Sequence, residues 1–236
     1  MKCLNFDSSN IKYGSLMNME GRLELLTQFY DETNQEFKSF LNHSKDKNTL
    51  LDVGCSYGAF GLAFAKMDSN KKSYCFDGAI NAWLALNQTI ELNEMSNLKC
   101  YKLLVGDIDN LVNVVYDRHQ SLFSYNSNTS ELMMRVDTIC ELFNIKPDCI
   151  KIDTEGCDYK VLAGAMNTLK EYKPTIFMEA HPNFLKWHKH SISDIVNVFN
   201  EVEYTALDLF GNEVTDYKKY LEMEETDSNR TVWIPK

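Results

Sequence analysis

The sequence predicts a single α/β domain in which a mostly parallel sheet is covered by helices on both faces. Three observations predict it. Short apolar runs of strand length alternate with longer runs of helical spacing. The connections between successive strand-like runs are long enough for crossover helices. A glycine-containing turn, Asp52-Val53-Gly54-Cys55-Ser56-Tyr57-Gly58, stands where the first strand gives way to a helix. At 236 residues the chain suits one large core, since single cores reach about 250 residues before chains divide. Hydrophobic residues at 44% and aromatics at 12% are enough to fill that core.

In order along the chain, spacing predicts a helix from about Gly21 to Leu41, with Leu23, Leu26, Phe29, Phe37 and Phe40 facing inward. Residues 1–48 are accordingly expected to form an N-terminal helical cap, and residues 49–236 the main domain. The first strand is expected at Thr49 to Val53, followed by a helix from Ala59 to Met67. A strand from Ser73 to Asp77, a helix from Ala79 to Asn93 and a strand from Leu98 to Val105 come next. Asp107 to Glu131 is polar and poorly periodic, and reads as a loop-rich insertion with room for one short strand. A helix from Val136 to Phe143, a strand from Asp148 to Asp153, a helix from Lys160 to Leu169 and a strand from Thr175 to Glu179 then resume the alternation. The C-terminal part predicts a helix from Ser193 to Asn200, a strand from Tyr204 to Leu209, a turn at Gly211-Asn212 and a closing strand from Thr231 to Ile234. One of these last two strands is expected to run antiparallel.

A formal net charge of −10, with no cluster of Lys and Arg, argues against a phosphate-binding surface, so no nucleic-acid partner is expected. The seven cysteines are odd in number and contain no C-x-x-C pair. They read as reduced, buried thiols rather than as a disulfide framework or a zinc site. No apolar run approaches the ~20 residues of a membrane span, and the N-terminus is too polar for a secretory segment. A soluble, cytoplasmic protein with a small-molecule partner is expected.

In the first turn, Gly54 and Gly58 let the backbone bend tightly and approach a ligand without a Cβ clash. Asp77 follows Asp52 by 25 residues, at the end of the second strand, where an acid bonds both ribose hydroxyls of a nucleoside. An ordinary turn with a solvated Asp77 is the plainer alternative. The dinucleotide pattern G-x-G-x-x-G is not met, because position 56 is Ser, and no Gly-Lys-Ser/Thr run exists. A nicotinamide oxidoreductase is therefore disfavoured and a P-loop excluded. Asp52 places a carboxylate where a cationic or amino-bearing ligand would sit. The turn resembles motif I of class I methyltransferases, which bind S-adenosylmethionine. On that resemblance the cofactor set is Asp52, Gly54, Cys55, Ser56, Tyr57, Gly58, Asp77 and Gly78, with Asp107 near the adenine.

A second motif, Ile150-Lys151-Ile152-Asp153-Thr154-Glu155-Gly156, puts Lys151 and Asp153 on one strand face. A lysine inside a central strand needs a partner, with Asp153, Glu155 or another strand-end acid available. A purely structural ion pair is one reading of Lys151 and a place in the catalytic set the other. Glu179 and His181 share a face where the next strand ends, 26 residues beyond Asp153. Adjacent parallel strands lie ~4.8 Å apart, so these groups are expected to converge on one substrate hydroxyl or cation. The catalytic candidates are Asp153 and His181 for proton handling, Glu179 for orienting the acceptor, and Lys151. In a variant, Asp153 and Glu179 are oxygen ligands of Mg²⁺ or a similar hard cation. His188 and His190 read as a solvated loop or helix start.

With these residues in place, the chain resembles the FkbM-type family of class I S-adenosylmethionine-dependent methyltransferases. The resemblance runs from about Leu50 to Pro182, with a weaker echo from Arg230 to Pro235. It is carried by Leu51-Asp52-Val53-Gly54 with Gly58, by Cys75-Phe76-Asp77 with Asn87 and Asn93, and by Val105-Gly106-Asp107. Val136-Asp137-Thr138-Ile139, the Ile150 to Gly156 run, Val161-Leu162-Ala163-Gly164-Ala165 and the Pro174 to Glu179 strand complete it. It implies a Rossmann-like class I methyltransferase fold, with a mostly parallel seven-stranded sheet and an antiparallel strand near the C-terminus. It also implies O-methyl transfer from S-adenosylmethionine to a hydroxyl of a sugar, glycan or sugar-containing natural product. The chain departs from the family in having Asp77-Gly78 where Glu-Pro is common. Asp109 to Arg135 matches poorly, and acceptor specificity is expected there. Two alternatives remain: a non-catalytic protein that binds S-adenosylmethionine, and a methyltransferase of RNA or protein. The acidic charge and the lack of an Asn-Pro-Pro-Tyr-like motif count against the latter.

Overall fold

A computed structural model describes residues 8–31, 33–117, 120–123, 130–216 and 229–236. In chain order its strands are β1 (Thr49–Val53), β2 (Lys72–Asp77), β3 (Leu98–Lys102), β4 (Leu104–Gly106), β5 (Asn110–Asp117) and β6 (Gln120–Phe123). These are followed by β7 (Ser130–Arg135), β8 (Cys149–Ile152), β9 (Thr175–Ala180), β10 (Tyr204–Leu207) and β11 (Asn229–Pro235). The α-helices are α1 (Arg22–Phe29), α2 (Gln35–Ser44), α3 (Ala59–Met67), α4 (Ile80–Leu92) and α5 (Val136–Phe143). Then come α6 (Asp158–Ala163), α7 (Met166–Tyr172), α8 (Pro182–Trp187) and α9 (Ile192–Glu201).

Alternation along each strand sorts its side chains onto two faces. Leu51, Val53, Ile150, Ile152, Ile176 and Met178 point one way, and pack on Val136 and Ile139 of α5, Val161 and Leu162 of α6, Leu169 of α7 and Phe199 of α9. Leu50, Cys149 and Phe177 point the other way, onto Phe37 and Phe40 of α2 and Ala63 and Phe64 of α3. Trp233 of β11 is fully buried, its ring stacked 3.8 Å from that of Phe199. The seven-stranded sheet has the order β10-β11-β9-β8-β1-β2-β3. Every pairing is parallel except those of β11, which runs antiparallel to both β9 and β10. From β1 the chain winds outward through β2 to β3, then returns to place β8 on the other side of β1. That reversal opens a crevice beyond the carboxyl ends of β1 and β8.

Four elements depart from the sequence-based expectation. The long N-terminal helix is two, because Asp31 accepts hydrogen bonds from the Thr33 amide and hydroxyl, and Asn34 caps α2 through the Phe37 amide. Short polar side chains of this kind compete with the helical ladder. The expected strand from Leu98 to Val105 breaks at Leu103, whose amide bonds Asp77 O, and its second half becomes β4 of another sheet. The expected loop-rich insertion is mostly strand: β4, β7, β5 and β6 form a second sheet of four. Among the described side chains its core holds Leu104, Val114 and Met133. Residues 118–119 and 124–129 of the insertion lie outside the described residues. The expected helix from Lys160 to Leu169 is divided at Gly164, and Asp137 of α5 caps the second piece by accepting from the Asn167 and Thr168 amides. Among the described residues no helix is long and apolar enough to cross a membrane.

Gly164, between α6 and α7, lies against the second sheet at close quarters. A Cβ there would lie 1.9 Å from Gly106 O, at the end of β4. Backbone cannot yield as a flexible side chain can, so Gly164→Ala is expected to destabilise the fold by about 1–3 kcal/mol. Scanning calorimetry should show a lower Tm; an unchanged Tm would mean that β4 shifts without cost.

Candidate active site

The glycine turn is built by backbone proximity. Gly54 has φ +75° and a Cβ on it would lie 1.8 Å from Asp153 O, so the ends of β1 and β8 touch main chain to main chain. Asp77 secures the turn from β2: one oxygen accepts from the Ser56 amide and the other from the Ala79 amide, both at 2.8 Å. Asp52, 1% exposed, accepts from the Gly61 amide at 3.0 Å and so satisfies one open donor of the first turn of α3. A cavity of about 140 Å³ lies over this turn. Its floor is Asp52, Gly54, Cys55, Ser56 and Tyr57, its roof is Leu25, Leu26 and Phe29 of α1, and it continues to Lys151 and Asp153. Gly58, Asp77, Gly78 and Asp107 lie outside that lining. Asp107, just after β4, has its carboxylate 4.0 Å from Lys160 of α6.

The charged strand ends form a connected lattice. Lys151 is 2% exposed; its Nζ stands 3.3 Å from Asp153, 3.4 Å from Glu36 of α2 and 4.9 Å from the centre of the Phe60 ring. Arg230 of β11, directly opposite Glu179 in register, bridges Glu36 at 2.6 Å and Glu179 at 2.8 Å. His181 is ringed by acids: Nε2 lies 3.5 Å from Glu155, 3.7 Å from Glu179 and 3.8 Å from Asp153, and Nδ1 lies 3.5 Å from Asp158. Asp158 is fully buried and also accepts from the Thr154 amide and hydroxyl and from the His181 amide.

Burial and neighbours set the charges. Burial alone would lower the Lys151 pKa, but Asp153 and Glu36 outweigh it and hold the ammonium above its ordinary range. Burial opposes ionisation of Asp153, yet Lys151 and His181 bring it below its usual value. Burial and the Asp153 charge raise Glu179. Burial likewise raises Asp52 to about 7, although Lys151 pulls the other way. For His181 burial favours the neutral ring, but Asp158, then Asp153 and Glu155, reverse this and push it up to about 9. These carboxylates favour a proton on the ring, which weighs against the expected part of His181 as the group that takes one.

The expected Mg²⁺ ligands stand close together: oxygens of Asp153 and Glu179 and a nitrogen of His181 lie within 4.8 Å of one another. Side-chain cations share the set, Lys151 standing 3.3 Å from one Asp153 oxygen and Arg230 2.8 Å from one Glu179 oxygen.

Of the residues predicted from sequence, Lys151, Asp153, Glu179 and His181 are brought together, and the first two border the cavity. His188 and His190 instead face Cys157 and Tyr159. Sequence reasoning missed Glu36, Arg230, Asp158 and the apolar roof. Arg230 carried a faint signal as the cation heading an apolar closing strand; Glu36 carried none.

The strand order with its antiparallel β11, and the acid-headed glycine turn at the switch point, are those of a Rossmann-like class I methyltransferase. The methyltransferase FkbM domain model matches residues 70–206, more than half the chain, and the chain belongs to that family. Among solved structures it is similar to methyltransferase FkbM from Methylobacillus flagellatus (TM-score 0.50, 13% identity, 89% of this chain and 57% of that one). It thus spans little more than half of that protein's length. An O-methyltransferase family protein from Burkholderia thailandensis gives a TM-score of 0.49 at 9% identity, over 92% of this chain and 57% of that one. A precorrin-6y C5,15-methyltransferase from Geobacter metallireducens gives 0.46 at 10% identity, over 100% of both chains. At these identities the likeness concerns the fold alone. No curated protein matches the sequence.

The elevated His181 pKa has a consequence for stability. With a folded value of about 9 against 6.5 unperturbed, its contribution is complete below about 6.5 and is lost as pH rises through about 9. The Tm difference between the parent protein and His181→Gln, measured from pH 6 to 10, should therefore be largest at pH 6 and close near pH 10. A constant difference would show that folding does not raise the pKa of the ring.

Proposed function

We propose that this methyltransferase uses S-adenosylmethionine to methylate a hydroxyl of a sugar, glycan or sugar-containing natural product. The observation that carries the reading is the continuity of one cavity, from the glycine turn to Lys151 and Asp153. Donor and acceptor sites would adjoin there. Asp52 supports a cationic ligand: it is buried with its charge suppressed by desolvation, a condition that a neighbouring cation relieves. We assign the cofactor's amino-acid end to Asp52 and the turn from Gly54 to Gly58. Its ribose is assigned to Asp77 and Gly78, and its adenine to the region after β4 where Asp107 lies. When bound, S-adenosylmethionine supplies a methyl group on a sulfonium, activated for in-line displacement.

The chain's own residues then have three tasks. Asp153, at the cavity edge, receives the acceptor proton. That proton turns strongly acidic only as the oxygen gives up electron density, so a carboxylate of low basicity suffices. Glu179, fixed by Arg230, orients the acceptor, and Lys151 and His181 hold the two acids at a set separation. The roof of α1 keeps water from the reacting groups. A hydroxyl acceptor suits this arrangement, because the carboxylates accept its hydrogen bond and its proton.

The test is a screen for S-adenosylhomocysteine release with mono- and oligosaccharide acceptors, with and without EDTA. Turnover should need the sugar and survive EDTA, and Asp153→Asn should lower kcat about 10²–10⁴-fold. Full activity in Asp153→Asn would sink the assignment. Titration calorimetry addresses the donor side. Because a cation favours ionised Asp52, affinity for S-adenosylmethionine should rise as pH passes through about 7. Asp52→Asn should abolish that slope, and a slope that survives would place the proton elsewhere. Asp77→Ala should weaken binding of S-adenosylhomocysteine.

A further inference from the structure

Leading outward from the charged lattice, three rings line up. Residues three apart on a helix share a face, and from the end of β9 through α8 that spacing is occupied by His181, Phe184 and Trp187. His181 and Phe184 stack with centroids 5.8 Å apart at 15°, and Phe184 and Trp187 are 4.8 Å apart at 40°. The inner end of this ladder is buried among Asp153, Glu155 and Glu179, while the outer ring, Trp187, is 60% exposed. On the other side of α8, Leu185 is fully buried in the core and anchors the helix.

The ladder is held in place relative to the candidate catalytic acids. Gly156 leaves no space for a Cβ, which would lie 2.6 Å from the Phe184 backbone, so residues 153–156 and α8 are in direct contact. The His181 amide is bonded to Asp158 on the same loop segment. A single exposed tryptophan is common on any surface. An exposed tryptophan at the end of a rigid ring ladder, whose other end lies against the groups assigned to the acceptor, has a specific chemistry. Flat rings beside a few placed polar groups are the makings of a small-molecule site. A pyranose matches both parts, with an apolar C–H face and a rim of hydroxyls.

We propose that Phe184 and Trp187 form an acceptor subsite, on which a pyranose ring lies flat against the indole while Glu155 accepts hydrogen bonds from its hydroxyls. This rests on the sugar-hydroxyl reading above and adds the residues that select the ring. Glu155 is suited to the part because its side chain is 39% exposed. Trp187 is a binding residue that takes no part in the methyl transfer.

The methyl glycosides of glucose, galactose, mannose and rhamnose serve as probes, with S-adenosylhomocysteine saturating. Of the three tryptophans, Trp233 is fully buried and Trp83 is tied to Cys100 O, so a saturable change in emission reports Trp187. At least one glycoside should give that change. In turnover, Trp187→Ala should raise acceptor KM about tenfold with kcat within about twofold, and Trp187→Phe should recover most of the loss. Affinity for S-adenosylhomocysteine and Tm should match the parent in both variants. An unchanged KM in Trp187→Ala with methylated glycosides overturns this inference and leaves the sugar reading standing. No emission change and no methylated glycoside, with transfer to a non-sugar hydroxyl instead, overturns both. A change of oligomeric state in Trp187→Ala, read by light scattering, would mean that the ring covers a second copy of the chain and would overturn the subsite.

Discussion

A lysine ammonium at 2% exposure in the middle of a sheet is tolerable only if carboxylates meet it there. Lys151 meets two, Asp153 from its own strand and Glu36 from the helix laid across that face. From this requirement the rest of the site follows. Glu36 is shared with Arg230, Arg230 with Glu179, and both Glu179 and Asp153 with His181. A central strand, a helix of the N-terminal segment and the closing antiparallel strand are thereby joined through side chains separated by most of the chain. Removing one partner of such a buried network leaves an unmatched charge behind, which is the costly outcome.

Within the lattice, five carboxylates (Glu36, Asp153, Glu155, Asp158 and Glu179) face three cations (Lys151, Arg230 and His181), with Asp52 at the border. The excess of negative charge agrees with a site for a cationic donor and a neutral, hydrogen-bonding acceptor. The same surroundings push the His181 pKa up to about 9, so that a charge on the ring persists to higher pH than its residue type suggests.

The backbone imposes the second constraint. Gly54 allows β1 to touch β8, and Gly156 allows the loop after β8 to touch α8. Neither contact leaves room for a Cβ. Together they hold the turn, the strand-end acids and the ring ladder in contact with one another.

The seven-stranded sheet was legible in the sequence because fully buried strands and their crossover helices differ in length and period. The glycine turn and the acids at positions 52, 77, 153 and 179 were legible because such residues rarely end apolar strands by chance. The second sheet was not legible: among its described side chains Leu104, Val114 and Met133 are buried while Leu111 and Leu132 remain exposed, so apolar residues there do not mark one buried face. The break at Gly164 was hidden because the groups that meet it and cap the next helix, Gly106 O and the Asp137 carboxylate, come from elsewhere in the chain. By itself the sequence determined the fold class, the switch point and the acids around it, since each depends on local order along the chain. The tertiary structure alone decided the partners of Lys151 and the ring of acids around His181. Those depend on distances between Glu36, Lys151, Glu179 and Arg230, and only the packed sheet brings them within a few ångströms.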